Sequence, residues 1–99
     1  GKMEYKINRA VVIKQLSLPA ASWLGSESPY SQTVTGLGTT ANSKVDIQID
    51  TTAYNTMVDS GTGAIYVAND NGTITAYALG DKPTADITVQ VAISEVVTG

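Results

Sequence analysis

Histidine, cysteine and phenylalanine are all absent from this 99-residue chain, tryptophan occurs once and proline three times. The first two absences remove the usual general base, the commonest metal ligand and the thiol nucleophile together. Ser-His-Asp and Cys-His catalysis and zinc sites of imidazole or thiolate are thereby excluded. Without cysteine there are no disulfides, and the redox compartment stays open. No apolar run approaches the ~20 residues that span a bilayer as a helix, and the first residues carry no apolar stretch of the signal-peptide type. Basic residues are scarce as well. Six Lys and Arg against nine Asp and Glu give a net charge of −3. No basic run exists that would neutralise a row of phosphates, which disfavours nucleic acid as a partner. Lys2, Lys6 and Arg9 cluster loosely near the N-terminus and read as a solvated tail.

What is abundant is β-branched. Valine, isoleucine and threonine supply 31 of the 99 residues, and such side chains lose rotamer freedom in helices while fitting pleated sheets. The length suits one domain with one modest core. The clearest strand runs from Ile87 to Ser94, where Ile87, Val89, Val91 and Ile93 fall on every second position and therefore on one face. Lys44 to Asp50 repeats the pattern, with Val45, Ile47 and Ile49 inward and Lys44, Asp46, Gln48 and Asp50 outward. Between Ala64 and Leu79, Ala64–Ala68 and Thr73–Tyr77 flank Asn69-Asp70-Asn71-Gly72, whose Asn71-Gly72 pair suits a type I′ turn. That turn sets Asp70 opposite Thr73 and Tyr66 opposite Tyr77, with Ile65, Val67, Ile74, Ala76 and Ala78 on the other face. Val11–Leu18 and Tyr30–Thr35 complete the strands. The run Val11-Val12-Ile13 breaks alternation, which predicts a bulge or burial on both sides.

Thr51–Asp59 predicts about two helical turns, capped by Thr51 or Thr52, with Ala53, Tyr54, Met57 and Val58 as the apolar stripe and Gly61 as the stop. The expected fold is all-β: a small antiparallel β-sandwich or flattened barrel of about six strands with one short helix. Residues 1–10 form an N-terminal arm in this reading, and residues 11–99 the single domain. The hairpin is apolar on one face and aromatic on the other, and a strand apolar on both sides is usually covered on both. Tyr66, Tyr77 and Leu79 are therefore the candidate subunit interface, the plainer alternative being a tyrosine pair that faces solvent.

The remaining candidate chemistry has plainer explanations. Asp46 and Asp50 share a face, as a glycosidase pair would, but it is the solvated face of an alternating strand. Asn69-Asp70-Asn71-Gly72 is rich in oxygen yet lacks the ligand series and closing glutamate of a calcium loop. Asn71-Gly72-Thr73 is formally a glycosylation sequon. Ser60-Gly61-Thr62-Gly63 precedes a strand, whereas phosphate cradles lead into helices. No catalytic, cofactor or metal site is expected, and the chain reads as no enzyme. Trp23 with Tyr30 is the candidate ligand platform, because aromatic faces suit the apolar surfaces of sugars. The competing use of a lone tryptophan is as a core residue between the sheets.

The order Trp23-Leu24-Gly25, Pro29-Tyr30-Ser31-Gln32-Thr33-Val34, the alternating Val45–Ile49, Tyr54, Gly61, Asn71-Gly72-Thr73-Ile74-Thr75 and Lys82-Pro83-Thr84-Ala85-Asp86-Ile87 resembles small structural domains of bacteriophage virions. Such domains occur in tail-fibre, baseplate and head-fibre proteins. The resemblance covers Leu16 to Ile93, and residues 2–11 depart from it. It implies a non-catalytic structural or attachment module in a virion, or one made from a prophage in the bacterial cytoplasm before assembly. It also implies a homo-oligomer, commonly a trimer, whose partners are other virion proteins and host surface carbohydrate, with neither membrane nor nucleic acid. Two other readings stand beside it: a carbohydrate-binding module for bacterial surface glycans using Trp23 and Tyr30, and an immunoglobulin-like spacer of a bacterial surface protein.

Overall fold

The computed structural model describes residues 11–95; the N-terminal arm expected over residues 1–10 and the last four residues lie outside them. Six strands form two three-stranded antiparallel sheets. Sheet 1 has the order β1 (Val12–Leu18), β6 (Ile87–Glu95), β3 (Ser43–Gln48). Sheet 2 has the order β2 (Tyr30–Val34), β5 (Thr73–Gly80), β4 (Thr62–Asp70). One helix, α1 (Thr51–Ser60), links β3 in the first sheet to β4 in the second, and a 3-10 turn at Ala20–Ser22 lies between β1 and β2. The expected all-β fold is the observed one.

The two central strands carry the core. Along β6 the side chains of Ile87, Val89, Val91 and Ile93 are all buried, and along β5 those of Ile74, Ala76 and Ala78. Leu16 and Leu18 join the first set from β1, because they sit opposite Val89 and Ile87 in register. Val34 and Ile65 join the second from β2 and β4. The inner faces share one buried cluster with Trp23, Leu37, Ala53 and Met57. Within it, the small volumes of Ala76 and Ala78 are balanced by large side chains such as Trp23 and Leu18, as close packing requires.

The hairpin follows the turn chemistry. Tyr66 pairs with Tyr77 and Asp70 with Thr73, while Asn71 and Gly72 adopt φ of 53° and 97°, the double positive φ of a type I′ turn. β4 starts at Thr62, two residues before the expected Ala64, and an irregularity between Thr62 and Ala64 absorbs the extra residue.

Three local expectations are corrected. Val11, Val12 and Ile13 are neither bulged nor buried. β1 pairs with β6 in unbroken register from Val12 to Leu18, and these three side chains are 53, 45 and 53% exposed. The alternation fails there because β1 is an edge strand whose start runs beyond the core, so burial does not select the inward position. In α1 only Ala53 and Met57 are buried, whereas Tyr54 and Val58 face outward. A short helix closing one side of a sandwich meets it along a single narrow line, and residues one step round from that line reach solvent. The cap is Asp50, one residue before Thr51; its Oδ1 accepts from the Ala53 N–H at 2.8 Å. Gly61 does end the helix, in the left-handed conformation, with its N–H directed at the Met57 and Val58 carbonyls. Ile49, expected to face inward, lies past the end of β3 and is 37% exposed.

Candidate functional site

The outer face of sheet 2 brings the candidate interface residues together. Register sets Ser31 beside Tyr77 and Tyr77 beside Tyr66, and an isolated bridge sets Leu24 beside Ser31. Directly paired residues project to the same face, so Leu24, Ser31, Tyr77 and Tyr66 form one row across the sheet. The two tyrosine rings stack with centroids 5.0 Å apart and 21° between planes. Leu79 follows two residues along β5, on the same face, opposite Ala64. Leu24 is 66% exposed, Tyr66 42% and Leu79 37%. The other residues of this face nearest the row, Ala64, Ala68, Thr33 and Thr75, are uncharged. Burying one such leucine or tyrosine stabilises a complex by about 1.5–3 kcal/mol when it is fully covered.

Leu24 was not among the sequence-predicted interface residues. It lies between Trp23 and Gly25 in a segment that reads as loop, and nothing in its neighbours signals the bridge to Ser31. Tyr66, Tyr77 and Leu79 were legible because the Asn71-Gly72 turn fixes the register.

The proposed aromatic platform is not assembled. Trp23 is 4% exposed and belongs to the core cluster, so its ring faces are covered and a sugar has no access to them. Its indole N–H is buried and finds no hydrogen-bond partner among the described residues, which is uncommon for a polar group at that depth. Tyr30 is half-buried on the inner side of β2, opposite Ala78, and Lys82 Nζ lies 5.4 Å from its ring centroid, within cation–π range.

Several other residues that carry the virion-domain resemblance have structural tasks, although Leu24 and Tyr54 among them are exposed. Buried Gln32 donates from Nε2 to the Pro19 carbonyl at 3.2 Å. Asp86 Oδ1 accepts from the Ala20 N–H at 2.8 Å, tying the segment before β6 to the 3-10 turn. Gly25 takes φ of 114°, the Ser28–Pro29 peptide is cis, and Pro83 is fully buried. The motif describes a frame for the β1–β2 and β5–β6 connections.

The loops considered for chemistry are likewise accounted for. In Asn69-Asp70-Asn71-Gly72 the Asn69 amide is engaged on both ends: Oδ1 accepts from Gly72 N–H, and Nδ2 donates to the Thr40 and Ser43 carbonyls. Ser60-Gly61-Thr62-Gly63 is the passage from α1 into β4. Asp50 caps a helix and Asp46 is exposed on β3. Among the described residues no group of three or more Asp or Glu is placed to hold a metal ion, and no helix is long and apolar enough to cross a membrane. Comparison with family models, with curated proteins and with solved structures gives no match.

Proposed function

We propose that this chain is a non-catalytic structural or attachment module of a bacteriophage or prophage virion, part of a fibre, baseplate or head decoration. It assembles with copies of itself through the outer face of sheet 2. The observation that carries the assembly is the in-register row Leu24, Ser31, Tyr77, Tyr66, extended by Leu79. The row and its immediate neighbours are uncharged, with Asp70 the acidic residue at the turn end of the same face, and leucine and tyrosine there suit contact with protein, where tyrosine gives large contact area with few rotors to freeze. A chain of net charge −3 meets its own copies most easily where neither surface is charged. Each contact is modest, and affinity comes from repetition across subunits. Virion origin is supported by the motif resemblance from Leu16 to Ile93. Its partners are then other virion proteins and, at exposed loops, the host surface. An enzymatic role has no imidazole or thiol to work with.

Sedimentation equilibrium tests the assembly. The wild-type chain is expected to associate at micromolar concentration, and replacing Tyr66 and Tyr77 together by serine to return it to monomer with an unchanged circular dichroism spectrum. Both substitutions lie outside the core, so the fold should tolerate them. A wild-type chain that stays monomeric through the micromolar range, or a double variant that associates as before, overturns the role of this face. Genes for portal, tail or lysis proteins beside this one would establish the phage origin, and their absence would count against it.

A further inference from the structure

We infer that the cleft between the end of β2, the β2–β3 loop and the β4–β5 turn binds a neutral, hydroxyl-rich ligand, a hexose unit of a glycan. The cleft measures about 410 Å³, near the small end of the ~300–1,000 Å³ found for small-molecule sites. It is lined by Thr33, Thr35, Thr39 and Thr73, by the buried Val34 and Leu37, and by Gly36, Gly38 and Gly72. Among the described residues, no charged and no aromatic side chain lines it.

That composition selects the ligand class. An anion would call for a cationic or N–H-rich lining, and a metal ion for carboxylates. A threonine hydroxyl donates and accepts at once, which matches a sugar hydroxyl, itself both donor and acceptor. Gly36 and Gly38 sit at φ of 82° and 69°, and nothing lies within 4 Å of where a Cβ on either would stand, so bare peptide groups add to the polar surface. The walls are held in place before any ligand arrives. Thr39 Oγ1 donates to the Gly72 carbonyl at 2.8 Å, and Asn69 holds Thr40, Ser43 and Gly72 at 2.8 Å each. Gly72 permits the close approach, since a Cβ there would lie 3.3 Å from the Thr39 carbonyl oxygen. A preformed site loses less on binding. With no aromatic ring among the described lining residues to stack on, a single site should bind with Kd of about 1–10 mM. Repetition over several subunits would make it useful. The cleft adjoins the tyrosine-row face through Thr33 and Thr73, but it contains none of Leu24, Ser31, Tyr66, Tyr77 and Leu79, and the proposal does not depend on the assembly reading.

The test is a nuclear magnetic resonance titration of the full chain with glucose, galactose and N-acetylglucosamine, and with inorganic phosphate as the charged control. At least one sugar is expected to give saturable shifts at the Gly36, Gly38, Thr39, Gly72 and Thr73 amides with Kd of about 1–10 mM, and phosphate to give none. Thr35→Val with Thr73→Val keeps the β-branched shape and removes two hydroxyls, so affinity should fall at least about fivefold while the rest of the spectrum is unchanged. Tyr66→Ser with Tyr77→Ser should leave sugar binding intact even if it abolishes association. No saturable shift with any of the three sugars up to about 100 mM overturns the proposal, as does undiminished binding by the threonine variant or saturable binding of phosphate at the same amides.

Discussion

Asn69 is a neutral amide working as a three-way clamp, and replacing it by aspartate changes one functional group without changing shape. In the folded chain its Nδ2 lies 2.8 Å from the Thr40 carbonyl oxygen and 2.8 Å from that of Ser43, while Oδ1 accepts from Gly72 N–H at 2.8 Å. Asn69→Asp retains the last bond. It turns the other two contacts into an oxygen facing two carbonyl oxygens. Each lost hydrogen bond is worth about 1 kcal/mol net, and an unsatisfied, partly buried carbonyl adds about 1–3 kcal/mol. With one of the two bonds exposed and the other partly buried, the expected destabilisation near pH 7 is about 2–4 kcal/mol, a large share of the ~5–15 kcal/mol that holds a small domain folded.

The sign of the pH dependence follows from the same geometry. Protonated, the introduced carboxyl regains a donor for Thr40 or Ser43; ionised, it faces only acceptors. Its affinity for the proton is therefore higher in the folded than in the unfolded chain, where a free aspartate titrates near 3.9. The penalty is complete well above the folded value and shrinks as pH falls through it, towards about pH 4 and below. Urea unfolding of wild type and variant at both pH values provides the assay, with the difference between the two proteins cancelling the native carboxylates. A variant within about 0.5 kcal/mol of wild type near pH 7, or a deficit that fails to shrink in acid, would refute the clamp.

Two further substitutions probe the ends of α1. Asp50→Ala should lower stability by about 1 kcal/mol, because the Ala53 N–H loses its acceptor, and Asp50→Ser should restore most of it; Thr51→Ala should change little in the same thermal melts, and an effect at Thr51 equal to that at Asp50 would return the cap to the threonine. Gly61→Ala should cost about 1–2 kcal/mol for a left-handed residue with a Cβ. A Cβ at Gly61 also falls 2.5 Å from Asp81 Oδ2, and because Asp81 is exposed its side chain can swing aside, so adding Asp81→Ala should recover only a small part of the loss. Full recovery would place the cause in the contact and not in the backbone.

Much of the local structure is legible in the sequence because its signals act over a few residues. Alternation along Ile87–Ser94 works because β6 is central in its sheet and buried on one face through its whole length. The same reading fails at Val11–Ile13, where the strand begins beyond the core. It overextends in α1, where a narrow line of contact buries Ala53 and Met57 alone. The Asn71-Gly72 turn conveys more than its own shape: it aligns Tyr66 with Tyr77 and so exposes the candidate face. Leu24 completes that face and was invisible, since its position depends on a bridge between segments that no local pattern encodes. For Trp23, the sequence left a core role and a ligand platform both open, and only the depth of burial decides between them.

By itself, then, the sequence determined that the chain is β-rich, where its strands begin and end to within a few residues, that one hairpin has a unique register, and that imidazole and thiol chemistry are unavailable. Those properties follow from side-chain type and from couplings along a short stretch of backbone. Which strands become neighbours was decided only in three dimensions. Of the strand-to-strand connections only β4 to β5 stays within one sheet; the others cross between sheets, so that β1 and β3 meet on either side of β6 and β2 lies beside β5. An alternating strand states which of its faces is apolar but carries no address for its partner. That address comes from the packing of both sheets at once, through contacts such as Asn69 with Thr40 and Ser43 and Asp86 with Ala20, whose partners lie tens of residues apart.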